Sequence, residues 1–265
     1  MPFIAFSTIC ALIFQVQALC TFPKSTKTTL VFSTKRITKS TNFRNGTLIG
    51  TFSLLNGRCK VNNGRMKYMM TLANGVTVKN AILDTPGMGI YCEGNCILQN
   101  IYYKKLCYHA AGFGFKTGRK STPYTYQVIG GAGIGSPDKY FTQSGHGTTI
   151  INGFCSAGKF GKLFCSCGNC PHQCQRNAKI SNSLLMGPGL TIASLNSNYG
   201  DKITISNVTL FGQKSLRTKI SFACQEYKAL TFMTPKMTPT ASYTPSQSAR
   251  GKSCAYSRPS IRIAN

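Results

Sequence analysis

The sequence predicts an all-β fold: a single-domain parallel β-helix stabilised by disulfides. Three observations predict it. Helix signals are scarce, because glycine is frequent (26 of 265 residues) and few windows place apolar residues at three- and four-residue steps. A short strand phrase recurs instead, apolar residues alternating with polar ones and closing near an asparagine. Its copies are residues 76–83 (VTVKNAIL), 96–103 (CILQNIYY), 148–152 (TTIIN), 178–182 (AKISN) and 203–208 (ITISNV), with a glycine-ended variant at 126–130 (YQVIG). The closing positions Asn80, Asn100, Gly130, Asn152, Asn182 and Asn207 step by 20, 30, 22, 30 and 25 residues. Self-similarity at that period with one or two strands per repeat marks a solenoid, and an all-strand solenoid is a parallel β-helix. A β-sandwich with irregular loops also shows short strands at intervals; an asparagine that can bond to the coil above at each turn favours the helix.

Taken in chain order, residues 1–18 carry no charge and hold an apolar run from Phe3 to Phe14, with small-residue cleavage sites at Val16-Gln17-Ala18 or Ala18-Leu19-Cys20. They read as a secretory signal peptide, too short to span a bilayer. Residues 21–39, rich in Ser, Thr and Lys, lead into the first coil, and residues 19–230 form the β-helix domain. Residues 231–265 turn to Thr, Pro and Ser and read as a tail extended against the body or loosely ordered, not as a second domain.

An oxidising compartment gives the thirteen cysteines a meaning. The eleven from Cys59 to Cys254 are disulfide candidates, foremost Cys92, Cys96, Cys107, Cys155, Cys165, Cys167, Cys170 and Cys174. The last four form a C-x-C-x-x-C-x-x-x-C group that would suggest zinc in a cytosolic chain; outside the cell, bridges are the expectation, with connectivity open. Asn45-Gly46-Thr47 and Asn207-Val208-Thr209 are glycosylation sequons.

Charge bounds the partner. Thirty-one Lys and Arg face five Asp and Glu, for a formal net charge of +26. Self-repulsion on that scale points to a polyanion: nucleic acid, an acidic polysaccharide or an anionic membrane surface. Secretion argues against nucleic acid. So does the lack of tryptophan, of a basic helix with heptads, of a zinc-finger spacing and of a Walker loop. No later segment is long enough for a membrane span. An extracellular acidic polymer and a monomeric binder remain.

Several separated segments then resemble one family in register. They are residues 89–96 (GIYCEGNC), 138–143 (DKYFTQ) with 145–148 (GHGT), 161–170 (GKLFCSCGNC) and 195–201 (LNSNYGD). Together they are similar to the family 3 pectate lyases, over about residues 75–210, and most of all to the secreted enzymes of plant-parasitic nematodes. The resemblance implies a right-handed parallel β-helix, an extracellular location and degradation of plant cell walls by β-elimination of de-esterified pectin (polygalacturonate). It also implies a calcium ion held by acidic side chains. The chemistry needs a base for the proton next to the uronate carboxylate and positive charge for the resulting enolate.

Carried over residue by residue, the resemblance makes Lys139 and Lys162 catalytic candidates and Asp138 the acid that orients them. Lys116 and Arg176 become substrate-binding candidates, joined by Lys104, Lys105 and His109. The departures are as informative. The family's acidic motif, W-E-D-V-x-E-D-A, reads YKKLCYHA over residues 103–110, so Lys104 and Lys105 replace two acids, and Tyr108 and His109 replace the calcium carboxylates. Met88 stands at the preceding metal aspartate and Cys165 at an arginine associated with catalysis. These losses imply either a lyase in which cations replace the metal, a catalytically inactive pectate-binding relative or effector, or a cationic scaffold for other polymers.

Overall fold

The computed structural model describes residues 19–55, 59, 66–115, 122–231 and 237–264; the predicted signal peptide and Lys116 lie outside them. Among the described residues the chain forms one 20-stranded sheet and a two-stranded ribbon. Partners in the large sheet sit one coil apart in sequence, not side by side. The strand Val76–Asp84 pairs in parallel with Thr41–Gly50 before it and Cys96–Lys105 after it. Every pairing in the sheet is parallel except the last, Ile220–Tyr227 with Pro239–Tyr243. The sheet therefore winds as a parallel β-helix with three faces, each coil about 4.8 Å above the last. Two long strands, Ala132–Gln143 and Cys155–Ser166, serve two faces each. Their first residues stack on residues 102–103 and 184–185, and their last residues on 111–113 and 193–194. The bend between those ends is the corner that matters below.

The asparagines that close each phrase are corner residues. Asn80, Asn100, Asn182 and Asn207 hold φ between 50° and 55°, in the left-handed region asparagine enters more readily than most residues. Their carboxamides form a ladder: Asn80 donates to Asn42 (3.0 Å), Asn100 to Asn80 (3.3 Å), Asn182 to Asn152 (2.8 Å) and Asn207 to Asn182 (2.8 Å). Gly130 keeps the same conformation (φ 62°) without a side chain, and a Cβ there would run into the Asn100 carboxamide. One marker shifts by a residue. Gly153 (φ 74°) turns the fourth corner, and Asn152 beside it supplies the amide. Asn207 is exposed, and the nitrogen a glycan would take is its ladder donor; Asn45 is half-buried at φ 61° within Thr41–Gly50.

Inward residues stack into one continuous core. Behind the corner of Ala132–Gln143 this core is aromatic. Phe113 stacks on Tyr126 (5.1 Å between centroids), and Phe154 meets Phe141 (5.0 Å) and Tyr140 (5.4 Å) edge-on. Each buried ring stabilises by about 1.5–3 kcal/mol relative to exposure. The collective effect is a rigid backing for the outward residues of the same strand.

Among the described residues five disulfides staple the fold: Cys20–Cys155, Cys59–Cys107, Cys92–Cys96, Cys167–Cys170 and Cys224–Cys254. Cys165 and Cys174, expected among the bridge candidates, are free thiols. The reason is local. Cys167 closes on Cys170 in a short loop, while Cys165, two residues back on the strand, faces its own coil neighbours Thr142 and Ser194. The Thr/Pro/Ser-rich stretch closes the C-terminal end of the stack. Pro239–Tyr243 covers the edge of Ile220–Tyr227, and Ile261–Ala264 pairs in parallel with Val208–Phe211. Glu226 accepts the backbone N–H groups of Ser253 and Cys254, both at 2.8 Å. Covering edge strands removes a template for intermolecular pairing. Among the described residues no helix is long and apolar enough to cross a membrane.

Candidate active site

Asp138 and Lys139 sit where Ala132–Gln143 turns its corner. Tyr140 and Phe141, immediately after, point into the aromatic core and are fully buried, so the two polar residues are held outward on a fixed backbone. The 106–110 segment is pinned against them: the Ser136 hydroxyl donates to the Tyr108 carbonyl (3.0 Å), and Cys107 is bonded to Cys59. Tyr108 and His109 stack ring on ring, 3.9 Å between centroids and 19° from parallel. That stack presents the His109 Nε2 to the Asp138 Oδ2 at 2.7 Å, while the Lys139 ammonium makes an ion pair with the same oxygen.

Electrostatics follow from this sharing. Burial alone would raise the Asp138 carboxyl; the hydrogen bond from His109 and the charge of Lys139 outweigh it and hold the group well below the usual carboxylate range. An ionised Asp138 can only accept, so His109 donates through Nε2. Burial would lower the Lys139 ammonium, but its coupling to Cys165 and Asp138 more than offsets that and raises it above its ordinary value. Burial, reinforced by the Asp138 charge, also raises the Tyr108 hydroxyl. Lys139 is thus a cation held in place.

Lys162 is the register partner of Lys139 on the next coil. Its ammonium lies 4.5 Å from the centroid of the Tyr227 ring, a cation–π contact, and among the described residues it makes no salt bridge. Sequence reasoning missed Tyr227, which arrives from the Ile220–Tyr227 strand two coils further on; only coil register could have found it. Cys165 follows on the Lys162 strand. The expected Lys139, Lys162, Asp138 and His109 therefore come together, with Tyr108 and Tyr227 as their aromatic supports.

The other expected residues separate. Lys104 pairs with Asp84 at 3.0 Å and stands 60% exposed, beside the N-terminal segment around Phe22 and Pro23. Lys105 lines a different cleft of about 420 Å³ with Ser136, Pro137 and Lys159, next to the corner. Both lysines are exposed at the end of the strand, but only Lys105 lines the cleft next to the corner. Arg176 is a correction. It is fully buried, and its guanidinium donates to the Ser144 carbonyl twice (3.0 and 2.8 Å), the Gln173 side chain (2.7 Å) and the carbonyls of Cys174 (3.1 Å) and Cys167 (3.4 Å). Every direction in which it could reach a substrate is taken, so it is a structural pin for the 167–176 loop.

The residues present do not fit a calcium site. Calcium takes six to eight oxygen ligands, largely carboxylates. All five acids of this chain are already engaged: Asp84 by Lys104, Glu93 by Arg36, Asp138 by His109 and Lys139, Asp201 by the backbone N–H groups of Arg176 and Asn196, and Glu226 by the tail. Among the described residues no cluster of three or more His, Cys, Asp or Glu could hold a metal.

Comparison with known proteins places this geometry. The sequence model of the family described as pectate lyase matches residues 19–232. A probable pectate lyase D of Emericella nidulans is 34% identical over 166 residues, covering 62% of this chain and 58% of that protein, so the chain spans little more than half the length of that relative. A probable pectate lyase E of Aspergillus clavatus is 30% identical over 199 residues, 74% of this chain and 69% of that protein. Among solved structures, the catalytic domain of pectate lyase PelI from Erwinia chrysanthemi superposes with a TM-score of 0.70 at 24% identity, covering 91% of this chain and 100% of that one. PelI in complex with tetragalacturonic acid gives a TM-score of 0.66 at 22% identity, with 89% of this chain and 70% of that one covered. These likenesses share the β-helix, and with a family match over most of its length the chain belongs to the pectate lyase family.

Proposed function

We propose that this chain is a secreted, monomeric pectate lyase that cleaves polygalacturonate, the de-esterified pectin of plant cell walls, by β-elimination without a resident metal. The observation that carries the reading is the corner cluster: two lysines on adjacent coils, one locked as a cation and one without an acid partner, beside an Asp–His pair. The Lys139 ammonium, aided by Lys105 at the neighbouring cleft, neutralises the uronate carboxylate and the enolate that develops from it. Lys162 acts as the base that removes the C5 proton; the electron pair forms the enolate and then expels the C4 glycosidic oxygen, which takes a proton from solvent. The products are a new reducing end and a 4,5-unsaturated uronate. Asp138 and His109 hold Lys139 in place and do not touch the reacting atoms. Pectate lyases generally depend on calcium. In this reading the ammonium groups of Lys139 and Lys105 supply the positive charge that calcium supplies in the family.

The cysteine at position 165 favours a second reading, in which a family cation is lost and the protein binds pectate without cleaving it. One assay separates the two: release of ultraviolet-absorbing unsaturated product from polygalacturonate, with and without chelator. Product that survives chelation is the expected result. A calcium requirement would sink the metal-free mechanism, and salt-sensitive binding with no product under any condition would establish the second reading.

A further inference from the structure

The outward face of the site continues past the lysines into a ribbon of rings. Residues Thr71, Tyr91, Gly112, Thr142 and Cys165 stack in register on consecutive coils. Their neighbours Ile90, Ala111, Phe141 and Phe164 are buried, so this column faces outward. At Gly112 the missing side chain leaves room that the Tyr68 ring fills; a Cβ there would collide with the Tyr68 hydroxyl. Tyr68 meets Tyr91 at 5.1 Å, and Tyr91 meets Phe115 edge-on at 6.0 Å. Phe115 is 51% exposed, although two residues earlier Phe113 is fully buried. The left-handed turn at Gly114 (φ 70°) switches the chain outward between them. Tyr91 spends its hydroxyl on the Gly114 carbonyl (2.7 Å), which fixes the turn and leaves its ring as the surface it offers. At the other end Tyr68 is coupled electrostatically to Tyr108, the ring stacked on His109.

A lone exposed phenylalanine would mean little, but Phe115 adjoins the Tyr91 and Tyr68 rings in one contiguous aromatic surface. Pyranose rings carry apolar C–H faces between hydroxyl edges, the complement of an aromatic face beside a polar groove. We propose that Phe115, Tyr91 and Tyr68 form a stacking platform for one pyranose ring of the acidic polysaccharide, with Tyr91 two coils down the helix from Lys139 and three strand residues across from it, about 10 Å in each direction. The proposal rests on the reading of this face as the uronate groove, and it adds a binding position that works by ring contact where the corner works by charge.

The test uses Phe115→Ala, with Phe115→Tyr as the ring-retaining control, on oligogalacturonates from the dimer upward. Phe115→Ala raises KM about three- to tenfold for oligomers long enough to reach the platform. It leaves kcat and the KM of the shortest cleaved oligomer unchanged, and Phe115→Tyr restores the wild-type values. Calorimetric binding of the same oligomers in a Lys139→Ala background gives a second readout that needs no turnover. Product release with identical KM and affinity at every length in Phe115→Ala overturns the platform and leaves the lyase reading standing. Length-dependent weakening of binding without any product supports the platform and overturns the lyase reading. No binding and no product from the wild type overturns both.

Discussion

Arg176 and Lys139 are drawn from the same surplus of thirty-one basic residues, and the structure treats them in opposite ways. Arg176 is fully buried and spends its guanidinium on three backbone carbonyls and a glutamine. Lys139 lies at a corner, shares one carboxylate with a histidine, and keeps donor capacity toward the groove. In a chain this basic, charge alone says nothing about role. What separates a structural cation from a chemical one is whether its hydrogen-bonding capacity is exhausted inside the fold.

The largest effect expected from that contrast is on stability. Arg176→Leu leaves the half-buried carbonyls of Ser144 and Cys174 without this donor, at about 1–3 kcal/mol each, while the Cys167 carbonyl keeps the Asn196 amide (2.9 Å). Arg176→Lys rescues little, because an ammonium cannot reproduce the fork. Both variants should lower the denaturant midpoint, with loss of about 2 kcal/mol or more for Arg176→Leu. An Arg176→Lys variant with wild-type stability and weakened pectate binding would restore the substrate-binding role.

Lys139→Ala and Lys162→Ala invert the pattern. Each should cut kcat on polygalacturonate by about 10²–10⁴-fold while the melting transition moves little. The arginine variants then sort the two roles. Lys139→Arg keeps a permanent charge and should retain more activity than Lys162→Arg, whose guanidinium cannot give up its proton. The reverse order would exchange base and electrophile between the two coils.

A subtler probe is the carboxylate between them. The Asp138 carboxyl is held low, so its ion pair stabilises above the unfolded carboxylate value of about 3.9 and that contribution is lost as pH falls below it. Lys139 is held above its ordinary 10.5, so its contribution is complete below that value and lost as pH rises through its folded one. The stability gap between wild type and Asp138→Asn should therefore narrow at both ends, in acid below about pH 4 and in alkali above about pH 10.5. Without Asp138 the Lys139 ammonium gives up its proton at lower pH, and the alkaline limb of the rate profile should move down. A gap independent of pH would show that Asp138 acts by hydrogen bonding alone.

How much of this was legible beforehand depended on the kind of signal. The β-helix was readable because coil stacking forces periodicity on the chain: the same left-handed corner recurs, and asparagine or glycine recurs with it. Even the one-residue slip at Asn152 is a local choice to give Gly153 the turn. Motif register singled out Lys139, Lys162 and Asp138, with His109 as a departure from the acidic motif, and the fold brings these four together. Arg176 carried the same kind of signal and meant the opposite, since burial and partners are tertiary properties. Tyr227 and Phe115 carried none; one reaches the site from two coils away, the other through the turn at Gly114. Cys165 and Cys174 looked like their neighbours in sequence, and only strand direction left them unpaired.

The smallest expected effect belongs to Lys104, which the resemblance made a substrate-binding candidate alongside Lys105. Its side chain is 60% exposed and paired with Asp84, outside the cleft that Lys105 lines with Ser136 and Lys159. Exposed pairs are worth about 0–1 kcal/mol, because solvent screens the charge and both side chains lose freedom. Lys104→Ala should thus shift stability by less than about 0.5 kcal/mol and leave KM within twofold. Lys105→Ala, with the same change in net charge, should weaken binding several-fold and flatten its salt dependence. Because the two variants remove identical charge one residue apart, any difference between them isolates position from the overall field of the protein. Equal losses would mean that the basic surface attracts pectate as a whole, and that the corner contributes chemistry without contributing recognition.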